Sequence, residues 1–319
     1  MTQIITVTPN PAIDVSTSVG KMAPFAKLRC APPRHDPGGG GINVARVVKR
    51  LGGEVAAIYP AGGATGQRLC RLMEREAVQS LAIPAAEETR EDFTVFEETT
   101  KQQYRFVLPG APLSEREWQE CLRVLAGSKP RPRFVVASGS LPPGVPEDFF
   151  GRVARVAKTM GAKLIVDTSG PPLKAALQEG AYLIKPNLRE FRELTGISSA
   201  DDGALIDAGR DLIARGQVEL IALSLGPRGA LLIARDRALR AEGLPIKPAS
   251  VVGAGDSFVG AMAWSLAHDT NLDAALRYGV AAGSAALLNP GTELCQSEDV
   301  RRLAPQVTIR PAAIDDYAP

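Results

Sequence analysis

Phe134-Val135-Val136-Ala137-Ser138-Gly139-Ser140 is a short apolar run that stops in small polar residues. The figure returns three times: Leu164 to Val166 ends in Asp167-Thr168-Ser169, Tyr182 to Ile184 in Lys185-Pro186-Asn187, and Leu220 to Leu223 in Ser224-Leu225-Gly226. Longer helical stretches separate these runs, and the alternation predicts βαβ units with a mainly parallel sheet. In an open α/β sheet the ligand lies beyond the carboxyl ends of the strands, so the four polar ends are expected to border one crevice.

Two stretches depart from this pattern. Residues 92–107, DFTVFEETTKQQYRFV, hold two β-rich runs around Glu98-Thr99-Thr100-Lys101 and predict a hairpin. Residues 12–36, broken by Pro24, Pro32 and Pro33, are expected to add strands beside it. Together, about 12–36 and 89–108 predict a small β lid on one α/β body spanning 1–319. A chain of 319 residues with 45% hydrophobic content can build one large core with such an appendage.

Composition removes several function classes. Lys and Arg number 37 against 35 Asp and Glu, with no basic block, which argues against a nucleic-acid partner. The start, MTQIITVTPNP, lacks the pattern of a signal peptide, and no segment reaches the apolar length of a membrane span. Cys30, Cys70, Cys121 and Cys295 are far apart and form no C-x-x-C pair, which predicts a reducing, cytoplasmic setting. With His35 and His268 the only histidines, proton transfer falls to a carboxylate.

Val251-Val252-Gly253-Ala254-Gly255-Asp256-Ser257-Phe258 precedes an apolar stretch of helical length. Glycines at a helix start let backbone N–H groups converge on an anion, and Asp256 there can take the proton of an attacking hydroxyl. The same residues also suit an ordinary helix cap, and from this segment alone the two readings weigh equally. Gly38-Gly39-Gly40-Gly41 with Asn43 is a second glycine loop, fit for a sugar lying against the backbone or for a flexible connector. Gly62-Gly63-Ala64-Thr65-Gly66 lacks the full dinucleotide fingerprint and reads as a tight turn. Asn187 and Glu190 can organise the waters of Mg²⁺, although a capping box is the stronger local reading. Ser224 through Ala230 can cradle a nucleotide or simply turn the chain.

Taken in order, these segments resemble the ribokinase-like (PfkB) family of carbohydrate kinases over nearly the whole chain. The carriers are the G-A-G-D segment at 253–256, the glycine loop at 38–41 with Asn43, and blocks such as Tyr104-Arg105-Phe106 and Ser138 through Gly144. Within the family, the minor bacterial 6-phosphofructokinase branch is the nearest pattern. The resemblance implies a three-layer α/β sandwich with a small β-sheet lid, and ATP-dependent phosphorylation of fructose 6-phosphate at its 1-hydroxyl. Rival readings are a tagatose-6-phosphate kinase, a 1-phosphofructokinase, and a non-catalytic sugar-phosphate sensor.

It also implies residue roles. Asp256 is the base, with the amides of Gly253, Ala254 and Gly255 as the anion hole. Asp14, Gly38, Gly39, Asn43 and Ser140 hold the sugar, and Arg90 and Arg105 bind its phosphate. Lys27, Lys185, Asn187, Ser224, Gly226, Gly229 and Ser284 border ATP, and Glu190 organises Mg²⁺ through water. Ser250, Val252, Ala286, Asn289 and Gly291 match a site for a monovalent cation such as K⁺. Pairing of two β lids in a homodimer is expected. Two departures stand out: Glu293 replaces an arginine beside the cation site, and Thr8 through Asp14 looks more like the 1-phosphofructokinase and tagatose-6-phosphate kinase branches.

Overall fold

The computed structural model describes residues 3–312, so residues 1, 2 and 313–319 of the expected body lie outside the described residues. Ten strands form the large sheet, in the order Ile309–Pro311, Ala238–Ala241, Ala230–Ile233, Val218–Ser224, Ala181–Ile184, Lys163–Asp167, Phe134–Ser138, Ile4–Val7, Val55–Gly62 and Gln79–Ala85. From Val218–Ser224 to Gln79–Ala85 every pairing is parallel, and on the other side of Val218–Ser224 every pairing is antiparallel.

Both faces of this sheet are covered, which is why its central strands read as unbroken apolar runs. Ile4, Val136, Ile165 and Leu183 share one core with helices Gly40–Arg50, Ala254–Ala267 and Leu272–Ala286. Their neighbours Ile5, Val135, Leu164 and Ile184 point into a second core under helices Glu115–Gly127, Phe149–Met160 and Asp202–Ala214. Three layers result. Helix Ala254–Ala267 is apolar on nearly every side because it is packed between Gly40–Arg50 and Leu272–Ala286. The glycine run at 62–66 is not a separate turn: strand Val55–Gly62 passes directly into helix Gly63–Arg75.

A second sheet has the order Arg34–Gly38, Ala12–Val19, Arg90–Glu97 and Gln103–Phe106. Its last two strands are the hairpin expected at 92–107, with Phe93 opposite Phe106 and Val95 opposite Tyr104. Ala12–Val19 runs antiparallel to Arg34–Gly38 and parallel to Arg90–Glu97. Polar contacts join this sheet to the loops before and after the central helices of the body. Thr292 Oγ1 donates to Asp36 at 3.0 Å, Gln103 Nε2 donates to Ser250 Oγ at 3.2 Å, and Arg34 pairs with Glu293. Among the described residues no helix is long and apolar enough to cross a membrane.

Candidate active site

Gly253 caps the start of helix Ala254–Ala267 with φ +75°, a left-handed conformation that favours glycine. No side chain caps this end, so the first amides point out unpartnered at the positive pole of the helix. Asp256 is the third helical residue, and its carboxylate is turned elsewhere. Asn43 Nδ2 donates to Asp256 Oδ2 at 2.9 Å. The plain capping reading of Asp256 therefore gives way to a half-buried carboxylate held from another helix. Burial raises its pKa, against the pull of the Asn43 hydrogen bond and the fields of Lys185, Arg105 and Arg46.

The parallel strands deliver a second set of charges to the same place. Lys185 Nζ lies 3.2 Å from Asp167, and a Cβ built on Gly255 would meet that nitrogen at 3.4 Å. Burial raises Asp167 to about 6 against the attraction of Lys185, with Asp256 and Glu190 adding to the rise. Burial opposes the charge of Lys185, but the same three carboxylates outweigh it and raise its pKa. One cation serves three acids. Asp167 was not among the residues singled out from sequence, although it stands in the row of strand ends that predicted the crevice. Asn187 and Glu190 form the reciprocal capping box: Glu190 N donates to Asn187 Oδ1 at 2.9 Å, and Asn187 N to Glu190 Oε2 at 3.0 Å. Glu190 Oε1 lies 3.9 Å from Arg189 Nη2.

On the other side of Asp256 lies the small sheet. Asp14 is in register with Asp36 on one neighbouring strand and Asp92 on the other, so three buried carboxylates stand in one row. The outer two have partners: Asp36 pairs with Arg34 and Arg46, and Asp92 with Arg90. Burial lifts Asp14 to about 6, Arg105 and Arg46 pull it down, and Asp92 and Asp256 push it further up. A side chain at Gly38 would strike the Asp14 carboxylate at 2.6 Å, so backbone and acid line one narrow floor. Gly39, with φ +105°, caps helix Gly40–Arg50, which carries Asn43.

Arg105 is exposed, and its field reaches both Asp14 and Asp256. Arg90 is nearly buried: Nη1 donates to Leu108 O at 2.8 Å and Nη2 to Asn10 O at 3.2 Å, while Nε is buried without a partner. Ser140 accepts from Asn10 Nδ2 at 2.9 Å, which ties the end of strand Phe134–Ser138 to the floor.

Ser224 bridges to Asn187, and Gly226 to Arg228 form a single 3₁₀ turn closed at Gly229, next to the Lys185 end of the crevice. Ser284 lies on helix Leu272–Ala286, whose Gly283 would meet Ala254 O at 3.3 Å if it bore a Cβ. Lys27 is not brought into this group. It stands exposed in the irregular segment before strand Arg34–Gly38, and among the described residues nothing bonds it.

The expected cation residues do converge. Ala249 N donates to Leu287 O at 2.7 Å, Ser250 Oγ to Gly291 O at 2.7 Å, and Asn289 Nδ2 to Leu294 O at 3.1 Å. Buried Val252 and Ala286 sit on the two segments so joined. Glu293 is bound by Arg34 and by Gln296, whose Nε2 donates at 2.9 Å.

Residues 10–299 match the family model described as pfkB family carbohydrate kinase. The ATP-dependent 6-phosphofructokinase isozyme 2 of Mycobacterium tuberculosis is 46% identical over 300 residues, 94% of this chain and 88% of the relative. The protein of the same name from Escherichia coli is 41% identical over 95% of this chain and 98% of its own. A crystal structure of Escherichia coli phosphofructokinase-2 in complex with potassium superimposes with a TM-score of 0.91, at 40% identity, covering 96% of this chain and 99% of that one.

Proposed function

The chain belongs to the pfkB family of carbohydrate kinases, and on that premise we propose that it is an ATP-dependent 6-phosphofructokinase acting in the cytoplasm. It is a phosphotransferase with an alcohol acceptor, on a ribokinase-like fold. The observation that carries the site assignment is Asp256: a half-buried carboxylate at an uncapped helix start, one of whose oxygens is held by Asn43.

In this reading the sugar lies on Gly38 and Gly39, with Asp14, Asn43 and Ser140 at its hydroxyls. Arg105 and Arg90 take its 6-phosphate, for which guanidinium donors are suited. Asp256 accepts the proton of the 1-hydroxyl as that oxygen bonds to the γ-phosphorus. The bond from the γ-phosphorus to the bridging oxygen breaks, ADP leaves, and Asp256 returns its proton to solvent. Its raised pKa brings the base nearer to neutral pH, where proton transfer is most effective. Charge on the transferring group is met by the amides of Gly253, Ala254 and Gly255 and by Lys185. Asn187, Ser224, Gly226, Gly229 and Ser284 border the nucleotide, and Lys27 joins them by movement of its segment.

Mg²⁺ bound with ATP would shield the phosphates. Glu190, whose charge reaches Asp167 and Lys185 at the strand ends, is a carboxylate of the kind that would hold the water shell of such an ion. The cation residues offer oxygens of the kind K⁺ takes, in segments already joined by hydrogen bonds. A homodimer through the small sheet fits Phe106, Val107 and Leu108, which are 46%, 57% and 43% exposed.

A panel of phosphosugars with ATP and Mg²⁺ tests the substrate. Fructose 6-phosphate is expected to give the highest kcat/KM. A preference for fructose 1-phosphate or tagatose 6-phosphate, the reading favoured by Thr8 through Asp14, overturns it.

A further inference from the structure

Arg46 lies inside helix Gly40–Arg50 and is 0% exposed. Its guanidinium donates to Glu76 at 2.7 Å, to Pro37 O at 2.8 Å and to Asn43 Oδ1 at 3.3 Å. Glu76 has a second partner, since Arg50 also binds it at 2.9 Å. A buried ion is costly, and replacing such pairs with apolar residues is often neutral or stabilising. Neutralising Glu76 therefore does not by itself account for Arg46.

The contact with Asn43 does. A guanidinium donates and never accepts, so the oxygen of Asn43 must face Arg46 and its NH₂ must face away. That NH₂ is the group that donates to Asp256. We propose that Arg46 is a positioning residue that locks the Asn43 amide in one orientation, so that Asp256 always receives a donor and keeps its other oxygen ionised for the substrate hydroxyl. Without Arg46 the amide is free to rotate and present its oxygen to Asp256. That arrangement repels the carboxylate and accepts a hydrogen bond from the protonated acid, which raises the pKa of the base. The inference rests on Asp256 as the base.

The other charges facing Asp256 come from separate elements: Lys185 and Asp167 from the strand ends, Asp14 and Arg105 from the small sheet. They stay in place in the test, and the direct field of Arg46, which also lowers Asp256, is separated by repeating the substitution in Asn43→Ala: a shift carried by the amide is lost there, and a shift that persists overturns the proposal. Arg46→Met is expected to lower kcat about tenfold at pH below the acid limb, the size of one hydrogen bond to a charged group. The acid limb of the kcat profile should move up by about one pH unit, so that activity recovers toward wild type at alkaline pH. KM for ATP should stay within about twofold, because the contact acts on the base and not on nucleotide binding.

Glu76→Gln separates this from a structural role: it should lower thermal stability and leave the acid limb in place. If Arg46→Met does not fold, the double variant Arg46→Met/Glu76→Gln removes both charges of the pair and should show the same limb shift. A wild-type limb in the folded variant, or an equal shift in Glu76→Gln, overturns the proposal. Asp256→Asn run alongside distinguishes the premise, since turnover retained there removes the base assignment itself.

Discussion

The two sides of the crevice carry the same chemistry on different supports. On the body, Asp256, Asp167 and Lys185 are fixed by a helix start and by the ends of parallel strands buried on both faces. On the small sheet, Asp36, Asp14 and Asp92 stand side by side on neighbouring strands, an arrangement in which like charges repel. Arginines relieve the outer two, and Asp14 has no ion-pair partner among the described residues, only the fields of exposed Arg105 and buried Arg46. The body holds its charges on elements of a sheet packed on both faces, and the small sheet holds the electrostatic cost of an incompletely paired row of carboxylates.

The comparison breaks most directly at Asp256. Asp256→Asn is expected to lower kcat by about 10²–10⁴-fold with little change in KM for ATP, measured by steady-state kinetics. A mutant with most of the wild-type kcat would place the chemistry elsewhere. On the small sheet the effect should fall on binding instead. Arg105→Ala is expected to raise KM for fructose 6-phosphate about 10–100-fold, the range of a charge-assisted contact, with KM for ATP nearly unchanged. Equal changes in both would show that the two sides are not separable.

The outward face of the small sheet gives a third test. Phe106→Asp places a charge opposite Phe93 and is expected to weaken self-association by about 10-fold or more in sedimentation. A wild-type dimer in that variant would move the interface off this face.

The smallest effect is on stability. Asp14 has its pKa raised from the usual 3.8 to about 6 in the folded protein. Below pH 4 it is protonated in both states and costs nothing. Between about 4 and 6 the unfolded chain ionises first, so stability falls as pH rises, and above 6 the full cost is present. Asp14→Asn should therefore raise Tm at pH 8, by up to about 3 kcal/mol of stability, and converge on wild type near pH 4. An unchanged gap from pH 4 to 8 would remove the charge as its cause.

Local pattern made the body readable. Runs such as Phe134 to Ala137 showed the strands because burial on both faces leaves only apolar residues, and Gly253 through Asp256 showed the helix start because that turn requires glycine. The hairpin at 92–107 was legible for the same reason. What escaped depends on register between distant segments. Nothing local in Asp36, Asp14 or Asp92 tells that they share a row, and Asn43 meets Asp256 across 213 residues. Asp167 lay in plain view at a strand end, but its pairing with Lys185 follows from the alignment of adjacent strands. Glu190 shows the converse: its capping box with Asn187 is a local motif and was read from the sequence as such.

The order of the two sheets has one more consequence, for how chains meet. An outermost strand offers free N–H and C=O groups to any strand that approaches, and proline blunts that offer because it cannot donate. In the large sheet both outermost strands contain one, Pro84 in Gln79–Ala85 and Pro311 in Ile309–Pro311. In the small sheet Arg34–Gly38 contains Pro37, whereas Gln103–Phe106 has none and runs into exposed Val107 and Leu108. Of the four sheet margins among the described residues, this one alone is both unblunted and greasy. Chains partly unfolded by heat are expected to stick there first, so this border is where precipitation should begin.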